Sequence, residues 1–342
     1  MGLFQSAMRV CVLGGGSWGS TVASLAAENT ETMIWCRDEA TVEDINTRHV
    51  NGRYLEGYEL HPALKATGDL EQAVSNADLL VIGIPSHSYR DTLSMAAPFL
   101  RPWVPVLSLT KGLEQGTRLR MSQVTNEVLP GHPAGALTGP NLAKEILAGG
   151  AAAAVVAMAD DVVAEALQQV FSTSSFRVYI NDDVVGCELG GALKNVIALA
   201  SGMADGLGTG DNTRAAVITR GLAEISRLGE ALGGRPDTFA GLTGMGDLIA
   251  TCISPQSRNR FFGEQLGKGR TVAEIAAEMD QVAEGVKTVP VVCTLADEVG
   301  VRMPIASEMN LVVSGKQSAQ EAYRGLLGRS VRRESDPSSD VS

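Results

Sequence analysis

From residue 8 to about 180 the chain alternates short apolar runs with amphipathic stretches. The runs predict strands over 9–13, 32–36, 79–84, 104–109, 135–138, 152–158 and 176–180. Between them the spacing turns helical. Val163, Ala166, Leu167 and Val170 fall at i, i+3, i+4 and i+7, directly after the helix-starting pair Asp160 and Asp161. Strands alternating with helices imply a parallel sheet covered on both faces. After about 185 the strand pattern stops, and 186–204, 212–232, 271–278, 288–299 and 318–327 read as helices. A chain of 342 residues is long for one core. The expectation is an α/β doubly wound sheet domain over 8–187, an all-α domain over 188–330, and a disordered polar tail over 331–342.

The first strand runs into Gly14-Gly15-Gly16-Ser17-Trp18-Gly19 and then into a helical stretch, 20–27. This is G-x-G-x-x-G between a strand and a helix, the context in which that motif binds a dinucleotide. Gly14 permits the tight turn, Gly16 lets the backbone approach a pyrophosphate, and Gly19 lets helix and strand pack closely. The helix N-terminus then turns its unbonded amides towards the phosphates. The sheet domain is therefore expected to be Rossmann-like, with its ligand over the carboxyl ends of the strands. A purely structural glycine turn is the plainer alternative, and the flanking strand and helix argue against it. The second strand ends in Arg37, followed by Asp38 and Glu39. An acid at that point holds the ribose hydroxyls of NAD, whereas an arginine accommodates the 2′-phosphate of NADP. The mixed sequence reads as NADP or dual use. The run 79–84 breaks at Pro85-Ser86, and the next strand ends in Thr110-Lys111-Gly112, which sets Lys111 over the same crevice.

Further on, Glu188-Leu189-Gly190-Gly191-Ala192-Leu193-Lys194-Asn195-Val196-Ile197-Ala198-Leu199-Ala200 has a buried character, and Lys194 is its only cation. Gly190, Gly191 and Ala198 stand at i−4, i−3 and i+4, so small side chains leave room beside the lysine. Lysine is rarely buried without a partner or a task. A salt bridge with Glu188 is the structural reading. An acid/base lysine, its pKa lowered by desolvation and by nearby cations, is the chemical one. The glycines of Gly241-Leu242-Thr243-Gly244-Met245-Gly246-Asp247 suggest close backbone approach, with Asp247 available to orient Lys194 or a substrate hydroxyl. Ser257, Arg258 and Asn259 offer a fork of donors suited to a phosphate.

Charge and composition narrow the partners. The net charge of −11 argues against nucleic acid and against an anionic membrane surface. An anion-binding site must then gather positive charge locally. The 5 cysteines are scattered without a CxxC pair, which reads as a reduced, cytoplasmic chain. The 4 histidines form no metal-ligand spacing, so no metal is expected. The longest run of small apolar residues, 147–159, is short for a membrane span and contains Gly149 and Gly150. Neither stable membrane insertion nor a signal peptide is expected. Gly2 stands in a myristoylation-like pattern, for which chance is the plainer account.

With these residues in place, the chain resembles the bacterial type of NAD(P)-dependent glycerol-3-phosphate dehydrogenase, from residue 8 to about 328. The resemblance is carried by the glycine turn, Ile84-Pro85-Ser86, Leu109-Thr110-Lys111-Gly112, Gly139-Pro140-Asn141-Leu142-Ala143, Gly191-Ala192-Leu193-Lys194-Asn195, Leu242-Thr243-Gly244-Met245-Gly246-Asp247, Ser257-Arg258-Asn259 and Glu284-Gly285. It implies that Ser17, Trp18, Arg37, Tyr54, Ala143, Val282 and Glu284 contact NADP or NAD beside Gly14, Gly16 and Gly19. Lys111 and Arg258 would touch both cofactor and substrate. Gly139, Asn141, Asp247, Ser257 and Asn259 would hold the phosphorylated substrate, and Lys194 would be the catalytic acid/base. The chain departs from the family pattern at Asn141, where serine or threonine is common, and at Glu56, where proline is expected.

The resemblance also implies a cytoplasmic homodimer that reduces dihydroxyacetone phosphate to sn-glycerol 3-phosphate for phospholipid synthesis, with the helical domain binding substrate. Lys111 and Lys194 would lie close and lower each other's pKa. Three cations from distant segments would then meet in one cleft. Two rival readings remain: a related 2-hydroxyacid or ketopantoate-type reductase, which predicts a carboxylate in place of the phosphate, and a sensor that binds NAD(P) without turnover.

Overall fold

The computed structural model describes residues 8–279 and 283–327. Eight strands form one sheet: β1 (Arg9–Leu13), β2 (Glu31–Trp35), β3 (Lys65–Thr67), β4 (Leu79–Ile82), β5 (Val106–Ser108), β6 (Ala134–Thr138), β7 (Ala152–Ala157) and β8 (Phe176–Asn181), in the order β3-β2-β1-β4-β5-β6-β7-β8. Alternate residues of the central strands feed two cores. Val10 and Val12 of β1 and Leu79 and Val81 of β4 pack on one face. Cys11, Leu13, Leu80 and Ile82 pack on the other. Strands buried on both faces read as continuous apolar runs, which is why the sequence announced them.

Two features depart from the expected sheet. β3 was not anticipated, because Lys-Ala-Thr at an edge is too short to show a period. The sheet is also not wholly parallel: β6 and β7 pair antiparallel, with Thr138 opposite Val155. The two strands are joined through the short helix Ala143–Leu147, and the 11-residue helix Asp161–Phe171 then leads into β8, which lies parallel to β7.

The chain divides into two compact units. Residues up to Gly191, together with Gly234–Asp247, form the first; Ala192–Gly233 with the chain from Leu248 onwards form the second. No pattern in the sequence marked the return of Gly234–Asp247 to the first unit. That segment goes back to the sheet because Leu242 packs against Val155, Ala157 and Cys187 on β7 and the helix that follows β8. The segment 331–342, expected to be a disordered tail, and Gly2 lie outside the described residues.

The second unit is helical. The expected helices are present as Val184–Gly206, which begins in the first unit, and Asp211–Ala231, Val272–Glu278, Glu284–Glu298 and Ala319–Leu327. Helices Pro236–Ala240, Asp247–Ile253, Arg258–Gly267 and Pro304–Val313 were not anticipated; the first two are short, and the third is rich in polar residues. Val184–Gly206 is the one described helix long and apolar enough to cross a membrane, and 89% of its most apolar window is buried inside the protein.

Within the second unit this helix meets Arg258–Gly267 backbone to backbone. A Cβ at Gly202 would lie 1.9 Å from the Arg260 carbonyl oxygen, and one at Gly206 would lie 2.2 Å from that of Glu264. From the other side, a Cβ at Gly263 would lie 2.0 Å from the Leu199 carbonyl oxygen. Helix propensity alone favours alanine over glycine by about 1 kcal/mol. Overpacking against main chain opposes it by about 1–3 kcal/mol. Gly263→Ala should therefore lower the urea unfolding midpoint. A raised midpoint would mean that propensity wins and that the close approach is dispensable.

Candidate active site

In the first unit the site begins at the turn after β1. Gly14 has φ +118°, and a Cβ there would lie 2.5 Å from the Gly83 carbonyl oxygen. A Cβ at Gly19 would lie 2.1 Å from the Gly14 carbonyl oxygen, so both glycines are demanded by protein packing. Gly16 differs: nothing stands within 4 Å of its added Cβ. It is also the N-cap of helix Ser17–Asn29 and supplies no capping side chain. The first-turn amides of that helix thus have no side-chain acceptor, which suits an anion. Trp18, half-buried, has its indole 6.5 Å from the Phe176 ring, and its Nε1–H is buried without a protein acceptor. Open space, uncapped amides and an orphaned donor fit a dinucleotide pyrophosphate at this turn.

At the end of β2 the structure gives Arg37 and Asp38 different surroundings. Asp38 caps helix Glu39–Arg48, accepting bonds from the Thr41 amide at 3.2 Å and the Thr41 hydroxyl at 2.6 Å. The hydroxyl bond is the chief cause holding its carboxyl below the ordinary range. Arg37 remains exposed at the end of β2. Tyr54 and Ala143 are half-buried and pack against the core beneath the same face as Trp18.

Lys111 follows β5 and reaches across the strand ends. Its Nζ donates to the Gly139 carbonyl oxygen at 2.8 Å and to Asp247 Oδ2 at 2.7 Å. Its side chain is 18% exposed and that of Asp247 only 2%. Next to Gly139, which has φ +128°, two acceptors are buried without protein donors: Thr138 Oγ1 and Asn141 Oδ1. Thr138 Oγ1 and the Lys111 stem lie close to the backbone of Gly191. The segment bearing Lys111 is fixed by Glu188, which accepts from Arg120 Nη1 at 2.5 Å and from the Ser122 amide and hydroxyl at 2.8 and 2.5 Å. The structural partner expected for Lys194 is thus engaged by Arg120 and Ser122.

The second unit holds the other residues. Lys194 is 5% exposed, and its Nζ donates to Thr251 Oγ1 at 2.6 Å. Asn195, beside it, accepts from Asn259 Nδ2 at 2.9 Å, and Asn259 Oδ1 accepts from the Gly285 amide at 2.8 Å. Ser257 caps helix Arg258–Gly267 through the Arg260 amide. Arg258 keeps solvent contact, while the protein crowding its guanidinium pulls its pKa down and Glu284 opposes the shift. Glu284 opens helix Glu284–Glu298. Val282 lies outside the described residues.

The structure therefore groups Lys111, Gly139, Asn141 and Asp247 in the first unit, and Lys194, Ser257, Arg258, Asn259 and Glu284 in the second. Thr138, Asn195 and Thr251 were missed by sequence reasoning. Thr251 had a readable mark: it stands one helical turn after Asp247 in an otherwise apolar run, so both face the same way on helix Asp247–Ile253. Among the described residues, no three His, Cys, Asp or Glu side chains are grouped to hold a metal.

Comparison with known proteins bears on this arrangement. Residues 9–164 match the profile of the NAD-dependent glycerol-3-phosphate dehydrogenase N-terminus, and residues 183–324 match that of the C-terminus. The chain is 58% identical to a glycerol-3-phosphate dehydrogenase [NAD(P)+] of Sphingopyxis alaskensis, over 96% of this chain and 99% of the relative. It is 55% identical to one of Mycobacterium avium, over 93% and 94%. The crystal structure of a glycerol-3-phosphate dehydrogenase from Coxiella burnetii superposes with a TM-score of 0.90 at 34% identity, covering 94% of this chain and 99% of that one.

The Lys111–Asp247 pair generates a stability test. Removing one member of a buried ion pair costs about 3–5 kcal/mol, and replacing both by apolar residues costs much less. Because Lys111 keeps some water, Asp247→Ala is expected near the lower figure by urea denaturation. The double variant Lys111→Met, Asp247→Leu should recover more than half of that loss. A double variant less stable than Asp247→Ala would show that the pair is not what the carboxylate is for.

Proposed function

Because the chain belongs to the NAD-dependent glycerol-3-phosphate dehydrogenase family, we propose a division of labour among its residues for the family's reaction. The protein is an NAD(P)-dependent oxidoreductase that transfers hydride reversibly between NAD(P)H and dihydroxyacetone phosphate, giving sn-glycerol 3-phosphate. This displaces the ketopantoate-type and sensor readings. The residue roles, the functional boundary between a nucleotide-binding region over 8–187 and a substrate region over 188–330, and the cellular setting are our reading.

When bound, the nicotinamide supplies the hydride in reduction and takes it up in oxidation. The remaining work falls to the chain. Gly14, Gly16, Ser17, Trp18 and Gly19 hold the pyrophosphate side of the cofactor; Arg37, Tyr54, Ala143, Val282 and Glu284 hold the rest. Lys194, as an ammonium, gives its proton to the carbonyl oxygen as that oxygen gains negative charge, and the neutral amine takes the alcohol proton in reverse. The Thr251 hydroxyl accepts from Lys194 and so fixes the direction of Nζ. Lys111, with Asp247 balancing its charge, touches cofactor and substrate without adding a net charge to the site. Gly139 and Asn141 border the hydroxyl end of the substrate. Ser257, Arg258 and Asn259 hold the phosphate at a helix N-terminus, where arginine also matches its planar geometry.

The observation that carries this reading is a lysine 5% exposed inside an apolar helix, its Nζ donating to the Thr251 hydroxyl. We further propose a cytoplasmic homodimer whose product feeds glycerophospholipid synthesis. None of the five cysteines forms a disulfide, which is compatible with a reducing compartment.

Loss of NADPH or NADH absorbance should occur with dihydroxyacetone phosphate and not with 2-keto acids. Acid/base groups contribute about 10²–10⁴ in rate. Lys194→Met should lose turnover on that scale and keep NADPH binding. Turnover within a few fold of wild type, in a folded variant, would remove Lys194 from the chemistry. For the phosphate the telling quantity is a ratio. Arg258→Ala should lower kcat/KM for dihydroxyacetone phosphate about ten- to a hundred-fold, as loss of a charge-assisted bond implies. Unphosphorylated dihydroxyacetone should be affected much less. NADPH affinity is measured alongside, because Arg258 is also assigned to the cofactor. An unchanged ratio between the two substrates means that this arginine does not read the phosphate.

A further inference from the structure

Two exposed arginines are tied, by different elements, to one atom group of the glycine turn. The first is Arg37. Its chain neighbour Cys36 lies against Gly15 so closely that a Cβ on that glycine would stand 2.5 Å from Cys36 Sγ. The second is Arg53, to which the sequence reading gave no role. Two residues before it, Asn51 is fully buried and donates its side-chain amide to the Gly15 carbonyl oxygen at 2.8 Å and to Ser20 Oγ at 2.9 Å. Gly15 is therefore the junction from which both arginines are held.

The loop carrying Arg53 is closed and anchored. Its base is a bridge between Val50 and Glu59 and a bond from the Leu60 amide to the His49 carbonyl oxygen at 2.7 Å. Inside it, Asn51 Oδ1 accepts from the Tyr54 amide, and Leu55 is fully buried in the sheet core. The Arg53 guanidinium sits 5.2 Å from the centre of the Tyr54 ring, a cation–π distance that limits where the charge can go. Arg53 is also near enough to Asp38 to assist Thr41 in holding that carboxyl low. The Asp38 carboxylate, which would repel a phosphate, is thus turned into the cap of helix Glu39–Arg48, with Arg53 acting on it. Arg37 and Arg53 stay exposed at this place in a chain of net charge −11. A ribose diol needs no cation; a ribose 2′-phosphate, close to a dianion at neutral pH, does.

We propose that Arg53 is a second specificity residue of the cofactor site, which together with Arg37 clamps the 2′-phosphate of the adenosine ribose and tilts the enzyme towards NADP(H). The proposal rests on the reading of the glycine turn as the NAD(P) site. Asn51 is the positioning residue that sets the distance of Arg53 from the turn.

The test is calorimetric binding of NADP⁺ and of NAD⁺, without substrate, to wild type and to Arg53→Ala, Arg53→Lys, Arg37→Ala and the double alanine variant. These cofactors differ only in the 2′-phosphate. Arg53→Ala should weaken NADP⁺ about tenfold, as loss of one charge-assisted contact implies, and change NAD⁺ less than twofold. Arg53→Lys should restore part of the NADP⁺ affinity. The double variant should bind the two cofactors alike. An equal loss for both cofactors, or no loss for either, overturns the role of Arg53 while wild-type binding leaves the cofactor site standing. If wild type binds neither cofactor, the reading of the glycine turn falls, and the clamp falls with it.

Discussion

The contact on which the site of the second unit depends is main chain against main chain. Helix Val184–Gly206 carries a lysine that is buried and bonded to the Thr251 hydroxyl. Leu and Val can exclude water from it, but they cannot set its distance from a partner helix to better than a side chain's width. Gly202, Gly206 and Gly263 remove that width, so Arg258–Gly267 lies directly on the lysine helix. Asn195 and Asn259 can then bond at 2.9 Å, and Asn259 reaches the Gly285 amide that begins the next helix. Three helices are thereby locked in register around the residues proposed to handle substrate.

The first unit solves the same problem with strand ends. β5 and β6 deliver Lys111 and Gly139 side by side, and the returning segment Gly234–Asp247 brings a carboxylate to them. Glu188 fastens Arg120 and Ser122 and so holds the loop that follows Lys111. In an acidic protein each important cation is placed with its own arrangement: Lys111 against Asp247, Lys194 against a hydroxyl, Arg258 at a helix start with Glu284 acting on it. Cations held in this way do not need a basic surface around them.

The large features were legible in the sequence because their physics is local. A strand buried on both faces must be a continuous apolar run, so β1, β4 and β7 stood out. A turn that brings a helix N-terminus against a strand must be glycine at Gly14 and Gly19, since any Cβ meets a backbone oxygen. A lone lysine in a long apolar helix marked Lys194 before any partner was known. The antiparallel pairing of β6 and β7 was missed, because strand direction is set by how separate elements pair and not by the pattern of either strand.

What the sequence could not fix is pairing across distance. Glu188 was the natural partner for Lys194 along one helix, yet it is engaged by Arg120 and Ser122, 68 and 66 residues away. Asp38 left the strand end after Arg37 ambiguous, and it is a helix cap. Thr251 looked like part of an apolar run and holds the ammonium of Lys194. Sequence alone determined which groups are present, which are buried and which face of each element they share, because period and burial are properties of a single element. Tertiary structure alone decided which donor met which acceptor. A buried polar atom takes whatever partner the packing of separate elements brings within about 3 Å, and that distance is set by the fold.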